Sequence, residues 1–562
     1  MAVLKGTKTL FFVTSPRTPF KMLPEIKLLG DLFSGKVWNN FTQEQFIKEL
    51  GQTEGFKGVG SVKDPAFSAR DRITRGPKTL GLVNLKPVIS VTDPGKMLFD
   101  DDLREEALLR QLLKFQLPSP YHKESPKMKG IFKVKPYLEL IRLVYTLGKV
   151  SFDEIQIFGL QLTDYRKFDD IVNKILYFRK QKELHRGKYK EFFAKTLSAE
   201  IKEIYKDDIS EGKTKTRESN DASILKFVST KASNMRDYTD ACFRYLRATG
   251  VFSIHQIGRS ISILKDKVVD VEYILKTVDR EPLVVSEDEY KNYLFDITVP
   301  ALYTDNRENL KQKVVSAGIM NEEKAISKNT NELKKAIKEN IAKKKKAIID
   351  HQIIDLKKLK YYDDIMRTYD GIDKKAFYDN PLMMEWNTWR AMTMLDGGNI
   401  KANLKFDDEG QPMNTAAGGY ADIVCDYGSF SLAVEVTLQT GQKQYESEGE
   451  PVSRHLGKLK EATNKPSYCF FIAPKINEAS IAHFYALHFM NISFYHGRSI
   501  IIPLELETFK KMVEQAGHAG YTPSPSQIEE FCNKSMEIAK TAGDEKSWYN
   551  EMQSIAVKWL AA

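Results

Sequence analysis

Residues 420–437 set two acids inside apolar extended sequence, and few folds accommodate that. Tyr420-Ala421-Asp422-Ile423-Val424-Cys425 reads as one strand, and Phe430-Ser431-Leu432-Ala433-Val434-Glu435-Val436-Thr437 as the next. Asp426-Tyr427-Gly428-Ser429 between them is turn chemistry. A turn centred between Gly428 and Ser429 sets Asp422 directly opposite Glu435. A centre one residue earlier pairs Asp422 with Ala433 and leaves Glu435 on the same face, because strand side chains alternate with period two. Either register brings two carboxylates together on an apolar hairpin. That costs stability unless positive charge lies between them. A divalent cation would supply it, and so would a Lys or Arg from elsewhere. Carboxylate oxygens without cysteine suit Mg2+, which retains several waters.

The flanks extend the pattern. Pro381–Arg390 reads as an amphipathic helix with one acid, Glu385, in an apolar run. Downstream, Pro451 suits the first position of a helix Pro451–Ala462 that carries Arg454 and His455 back over the sheet. Ser467–Ala473 reads as a third, buried strand and Ala479–Met490 as another helix. Ile492–Tyr495 and Ser499–Pro503 read as further strands. Helix, strand, strand, helix, strand is the order of a compact α/β core.

The rest of the chain is organised differently. Residues 301–360 hold 15 Lys/Arg against 8 Asp/Glu, a surplus of 7 in a chain whose net charge is +10. Leu333, Ile337, Ile341, Ile348 and Ile349 give them a thin apolar stripe. This reads as a basic helical linker whose cations face either solvent or phosphates. Upstream lie two helix–strand–turn–strand stretches of winged-helix type. In the first, helix 64–75 stops at Gly76-Pro77, and strands Leu80–Val83 and Val88–Val91 follow. In the second, helix 237–249 ends at Gly250, before strands Val251–Ile254 and Ile261–Leu264. Residues 136–206 between them read as helical, with a capping box at Ser151–Glu154.

Arg70, Arg72, Arg75 and Lys78 put four cations within nine residues, a candidate DNA contact, although Asp71 is an obvious internal partner. Lys213–Arg217 reads as an exposed loop. The expected architecture is multidomain α+β: winged-helix regions at 1–120 and 121–300, the linker at 301–360, and an α/β domain at 361–562. Four scattered cysteines with no CxxC argue against structural zinc and fit a reducing compartment. With no signal peptide and no apolar run of membrane length, the expected location is cytoplasmic.

Asp422 followed by Glu435-Val436-Thr437 resembles the PD-(D/E)xK nuclease signature. The longer string through Glu448-Gly449-Glu450-Pro451-Val452-Ser453-Arg454-His455 is similar to the AlwI/MlyI/PleI group of type IIS restriction endonucleases, which includes site-specific nicking enzymes. Phe11–Arg17 and Phe67–Val83 resemble that group too, so the likeness spans most of the chain.

The resemblance implies a FokI-like organisation: an N-terminal half that binds an asymmetric duplex site, and a C-terminal PD-(D/E)xK domain that cuts to one side with Mg2+. It implies Asp422 and Glu435 as metal ligands, Glu448 and His455 completing the site, and Glu385 as a helix-borne acid. The signature's terminal Lys is replaced by Thr437, which cannot supply charge; His455, Lys443 or a second metal would have to. Cutting both strands would call for a second nuclease domain or a small subunit. The competing readings are a structure-selective repair nuclease, which would show no fixed cut motif, and a non-enzymatic winged-helix regulator, which would need no acidic hairpin.

Overall fold

The computed structural model describes residues 2–4, 6–53, 64–395, 398–407, 410–415, 419–519 and 524–560. They form two compact units, Met1–Ala336 and Ile337–Ala562. Both are rich in helix, with short two- and three-stranded sheets in the first and one larger mixed sheet in the second. Among the described residues, no helix is long and apolar enough to cross a membrane.

In the first unit, helices α1 (Leu23–Phe33), α2 (Asn40–Gln52) and α3 (Pro65–Arg75) pack ahead of a minimal ribbon, β1 (Val83–Asn84) and β2 (Ser90–Val91). Helix α3 starts where the sequence says: Asp64 accepts from the Phe67 N–H at 2.8 Å, and Pro65 needs no partner in the first turn. The ribbon falls short of expectation, with only Val83 opposite Val91 and Asn84 opposite Ser90. Leu80, Leu82 and Ile89 are buried, but their backbone is irregular, so these apolar residues fill the core without extending a ladder.

The second stretch is more regular. Helix α4 (Pro136–Leu147) leads into β3 (Lys149–Ser151) and α5 (Phe152–Ile157), which opens with the expected Ser151–Glu154 capping box. After several helices comes α6 (Ile224–Arg247), longer than the sequence suggested, then β4 (Phe252–His255) and β5 (Ser260–Ile263). The three strands form one antiparallel sheet in the order β3-β5-β4. Gly250, with φ +68°, makes the turn from α6 into β4; a Cβ there would sit 2.2 Å from a Glu105 carboxylate oxygen. The basic region is broken into Arg307–Ser316, Glu322–Ser327 and α7 (Thr330–Lys357).

The second unit is built on a five-stranded sheet. Helices α8 (Tyr362–Asp373) and α9 (Asn380–Leu395) precede β6 (Asn399–Ala402). A small side ribbon follows, β7 (Leu404–Phe406) with β8 (Pro412–Thr415), which the sequence had not suggested. Then come β9 (Ile423–Asp426), β10 (Ser431–Val436), α10 (Gln442–Thr463), β11 (Ser467–Ala473), α11 (Glu478–Leu487) and β12 (Ile501–Glu505). Helices α12 (Leu506–Ala519), α13 (Pro525–Thr541) and α14 (Glu545–Ala556) finish the unit. Strand order is β12-β11-β10-β9-β6, with β10, β11 and β12 parallel and the hairpin antiparallel.

Both faces of this sheet are covered. Ile423, Leu432, Val434, Phe470 and Ile472 pack toward Tyr369, Trp389 and Phe509; Ala433, Cys469 and Phe471 pack toward Val452, Leu456 and Phe484. Every residue of β11 is therefore buried, which explains its unbroken apolar run. Two expectations are corrected. Ile492–Tyr495 is not a strand: Ser493–Tyr495 forms a 3-10 turn. Pro451 does not begin a helix but lies inside α10, which starts nine residues earlier, at Gln442. An interior proline forfeits one helix hydrogen bond. Here the buried stripe Gln444, Gly449, Val452, Ser453, Leu456 and Leu459 holds the helix together regardless.

Candidate active site

The site lies where β9 begins and β10 ends. The pair Ile423 opposite Val434 centres the turn between Gly428 and Ser429, so Asp422, one residue before the strand, falls opposite Glu435. A carboxylate oxygen of Asp422 accepts from the Val436 N–H at 2.9 Å, in effect extending the ladder with a side chain. Glu435 is 6% exposed and points to the face covered by α10. From that helix His455 reaches down, its Nδ1 2.8 Å from Glu435 Oε1.

These groups perturb one another. Burial pushes the Asp422 carboxyl well above its ordinary range; the charges of Glu435 and Glu448 push it further, against the Val436 N–H bond and His455. Glu435 is raised for the same two reasons, burial and then Glu448, partly offset by Arg454. His455 is held below the usual imidazole range by burial first and then by Arg454. The arrangement is thus a cluster of acids that raise one another's proton affinity, with an imidazole of lowered proton affinity alongside. Among the described residues, no three His, Cys, Asp or Glu side chains converge as a ready-made ion site.

The family model for AlwI restriction endonuclease matches residues 78–512, most of the chain. The chain belongs to the AlwI restriction endonuclease family. Two solved structures are similar to it. The small subunit (R.BspD6I2) of the heterodimeric restriction endonuclease R.BspD6I is 28% identical, covering 35% of this chain and 96% of its own, with a TM-score of 0.28. The BpuJ1 endonuclease binding domain, solved with pyrene- and phenanthrene-modified DNA, is 13% identical, covering 51% of this chain and 96% of its own, with a TM-score of 0.34. No curated protein matches.

Within this AlwI-family chain the remaining candidates are placed as follows. Glu448 is half-buried on α10, two turns before His455, and acts on both acids of the hairpin. Glu385 is half-buried on α9 and is not among the charges acting most strongly on Asp422 or Glu435. Thr437, just past β10, accepts from the Gln439 N–H at 3.1 Å and so belongs to the turn into α10. One neighbour escaped the sequence reading: Lys458, three residues after His455, adds positive charge to the imidazole's surroundings and donates to the Gly419 carbonyl at 3.2 Å. The i, i+3 spacing was its only signal.

The three α3 arginines, and Lys78 just beyond the helix, all have internal partners. Arg70 donates to Gln43 at 2.8 Å, Arg72 pairs with buried Glu25 at 2.6 Å, and Arg75 pairs with Asp71 at 2.6 Å. Lys78 lies 4.4 Å over the Tyr121 ring, its pKa lowered by burial.

Proposed function

We propose that this chain is a site-specific type IIS deoxyribonuclease or nicking enzyme that uses Mg2+, binds duplex DNA through its first unit and hydrolyses a phosphodiester outside the bound site with its second. The observation carrying this reading is the hairpin register that sets Asp422 opposite Glu435 beneath His455. The second unit is read as a PD-(D/E)xK core and the first as winged-helix recognition modules.

The donor set fits Mg2+. It is oxygen-rich and free of thiolate, and the mutual repulsion of Asp422, Glu435 and Glu448 is what a cation would relieve. Asp422 and Glu435 would hold the ion, which keeps most of its other positions for water and phosphate. When bound, it would offset charge on the phosphate under attack. Glu435 holds His455 through Nδ1, leaving Nε2 to accept a proton from the attacking water. Burial and Arg454 lower the proton affinity of the imidazole, which favours the form with that nitrogen free. His455, with Lys458 nearby, takes the place of the lysine absent at position 437. Glu448 completes the acidic wall, and Glu385 is the acid contributed by α9. Arg70, Arg72, Arg75 and Lys78 are assigned to phosphates, because their internal acceptors leave them poorly placed for base edges.

One cluster cuts one strand at a time, so double-strand cleavage would call for a second cleavage unit. The test is plasmid relaxation with Mg2+ and sequencing of the cut ends. Asp422→Ala and Glu435→Ala should abolish cleavage and keep duplex binding. Wild-type cutting by either variant would overturn the site, and cut ends without a shared motif would overturn the site specificity.

A further inference from the structure

Arg70, Arg72 and Arg75 of α3 and Lys78 just beyond it are all engaged, which raises the question of where a first unit that binds DNA would read bases. Helix α6 gives an answer. Its 24 residues are anchored by Val228, Met235, Thr239, Cys242 and Leu246, all buried on one side. On the opposite side Lys226, Ser229, Ser233 and Arg236 are exposed. At 100° per residue these four fall within about 80° of arc, a single stripe along the helix.

Among the described residues, the side chains of Ser229, Ser233 and Arg236 have no hydrogen-bond or ion-pair partner. That sets Arg236 apart from Arg70, Arg72 and Arg75. Toward the C-terminus the same arc continues in charge that is already organised, with Arg244 donating to Asp240 at 3.2 Å, and beside it Arg17 pairs with Asp237 at 3.1 Å. Directly after α6 comes the β4–β5 ribbon, whose tip exposes Ile257 (76%) beside Gly258.

We propose that α6 is the base-reading element, with Arg236 as its principal specificity determinant and Ser233 and Ser229 beside it. This rests on the DNA-binding reading of the first unit. The chemistry is specific. A major groove admits an α-helix, and a planar guanidinium can bond both acceptors of a guanine edge. Ser233 and Ser229, one and two turns before it, keep the helix surface low, so its axis can approach the groove floor, and their hydroxyls bond to any base edge. The β4–β5 tip would lie against the neighbouring backbone.

The experiment is a binding selection from a randomised duplex library with the full-length protein in EDTA, so that no cleavage is needed. Wild type should enrich a fixed motif. Arg236→Ala should lose preference at one or two positions and bind the wild-type motif at least tenfold more weakly, with affinity for a scrambled duplex within threefold. Arg236→Lys, equally exposed and equally charged, should lose the same preference, since an ammonium cannot make the two-pronged contact. If Arg236→Ala enriches the wild-type motif unchanged, or wild type enriches none, the assignment falls. A protein that selects a motif here but cuts no plasmid with Mg2+ would instead refute the nuclease reading and leave α6 standing.

Discussion

Replacing Glu435 with Gln should stabilise the protein in the absence of divalent metal, although it removes a proposed catalytic group. The amide keeps the shape and the oxygen that receives His455 Nδ1 at 2.8 Å, and removes only the charge. That charge is costly: burial and Glu448 raise the Glu435 carboxyl, and Glu435 in turn raises Asp422. Relieving one buried, uncompensated charge is worth on the order of 1–3 kcal/mol above neutral pH. The second unit spans residues 337–562, and for a domain of that size 1 kcal/mol moves Tm by about 2–4 °C. A rise of roughly 2–12 °C follows for its transition.

The pH dependence has a definite sign. An acid whose folded pKa is raised contributes its stability below the ordinary carboxyl pKa and loses it as pH climbs through the raised value. Wild type and Glu435→Gln should therefore melt together near pH 4.5 and separate toward pH 8, the variant melting higher. Excess Mg2+ should raise the wild-type Tm and leave the variant's nearly unmoved. Scanning calorimetry in EDTA across this range reads all of it. A variant that melts at or below wild type at pH 8, or a gap indifferent to pH, would refute the claim that these carboxylates strain the fold.

His455→Ala should slow single-turnover cleavage by about 100-fold or more, and adding Thr437→Lys should restore part of that rate, since Thr437 shares the face of Glu435; no recovery would show that His455 does not stand in for the missing lysine. Arg72→Ala should cost the first unit about 3 kcal/mol in urea unfolding, because it strands Glu25, which is 5% exposed, and Arg72→Ala/Glu25→Gln should recover most of the loss. A cost below about 0.5 kcal/mol would make that ion pair incidental.

Local chemistry makes much of the fold readable in the sequence. Asp64 before Pro65, the Ser151–Glu154 box and Gly250 each mark a boundary with groups a few residues apart. Turn residues at 426–429 narrowed the hairpin to two registers, of which the first is observed. What could not be read depended on distant partners. Arg72 finds Glu25 from 47 residues away, so its engagement was invisible locally. Residues 442–450 are too polar to announce a helix, and Pro451 argued against one. They are helical because Gln444 bonds to the Gln439 and Lys475 carbonyls and Gly449 fits under Tyr445 and His483. The same distance dependence explains why the α3 arginines stood out in sequence and Arg236 did not: a cluster is conspicuous, whereas the freedom of one guanidinium shows only when every neighbour is known.

The sheet topology also explains why the two acids sit where they do on their strands. Parallel β10, β11 and β12 all run toward one end, and α10 leaves from there, so Glu435, at the last-but-one position of β10, faces the returning helix. Crevices at the carboxyl ends of parallel strands are the usual ligand sites of such sheets. Strand β9 runs the other way, so only its first residues reach that end, and Asp422 immediately precedes it. An acid later on β9 would lie at the far end of the sheet, as Asp426 does, bonded to Lys465 at 2.8 Å. The spacing of the two acids is thus set by hairpin length: one at the entry and one at the exit of a tight antiparallel pair. Lengthening the 427–430 turn by two residues should leave them facing each other, whereas any change that slips the register by one would turn Glu435 into the opposite core.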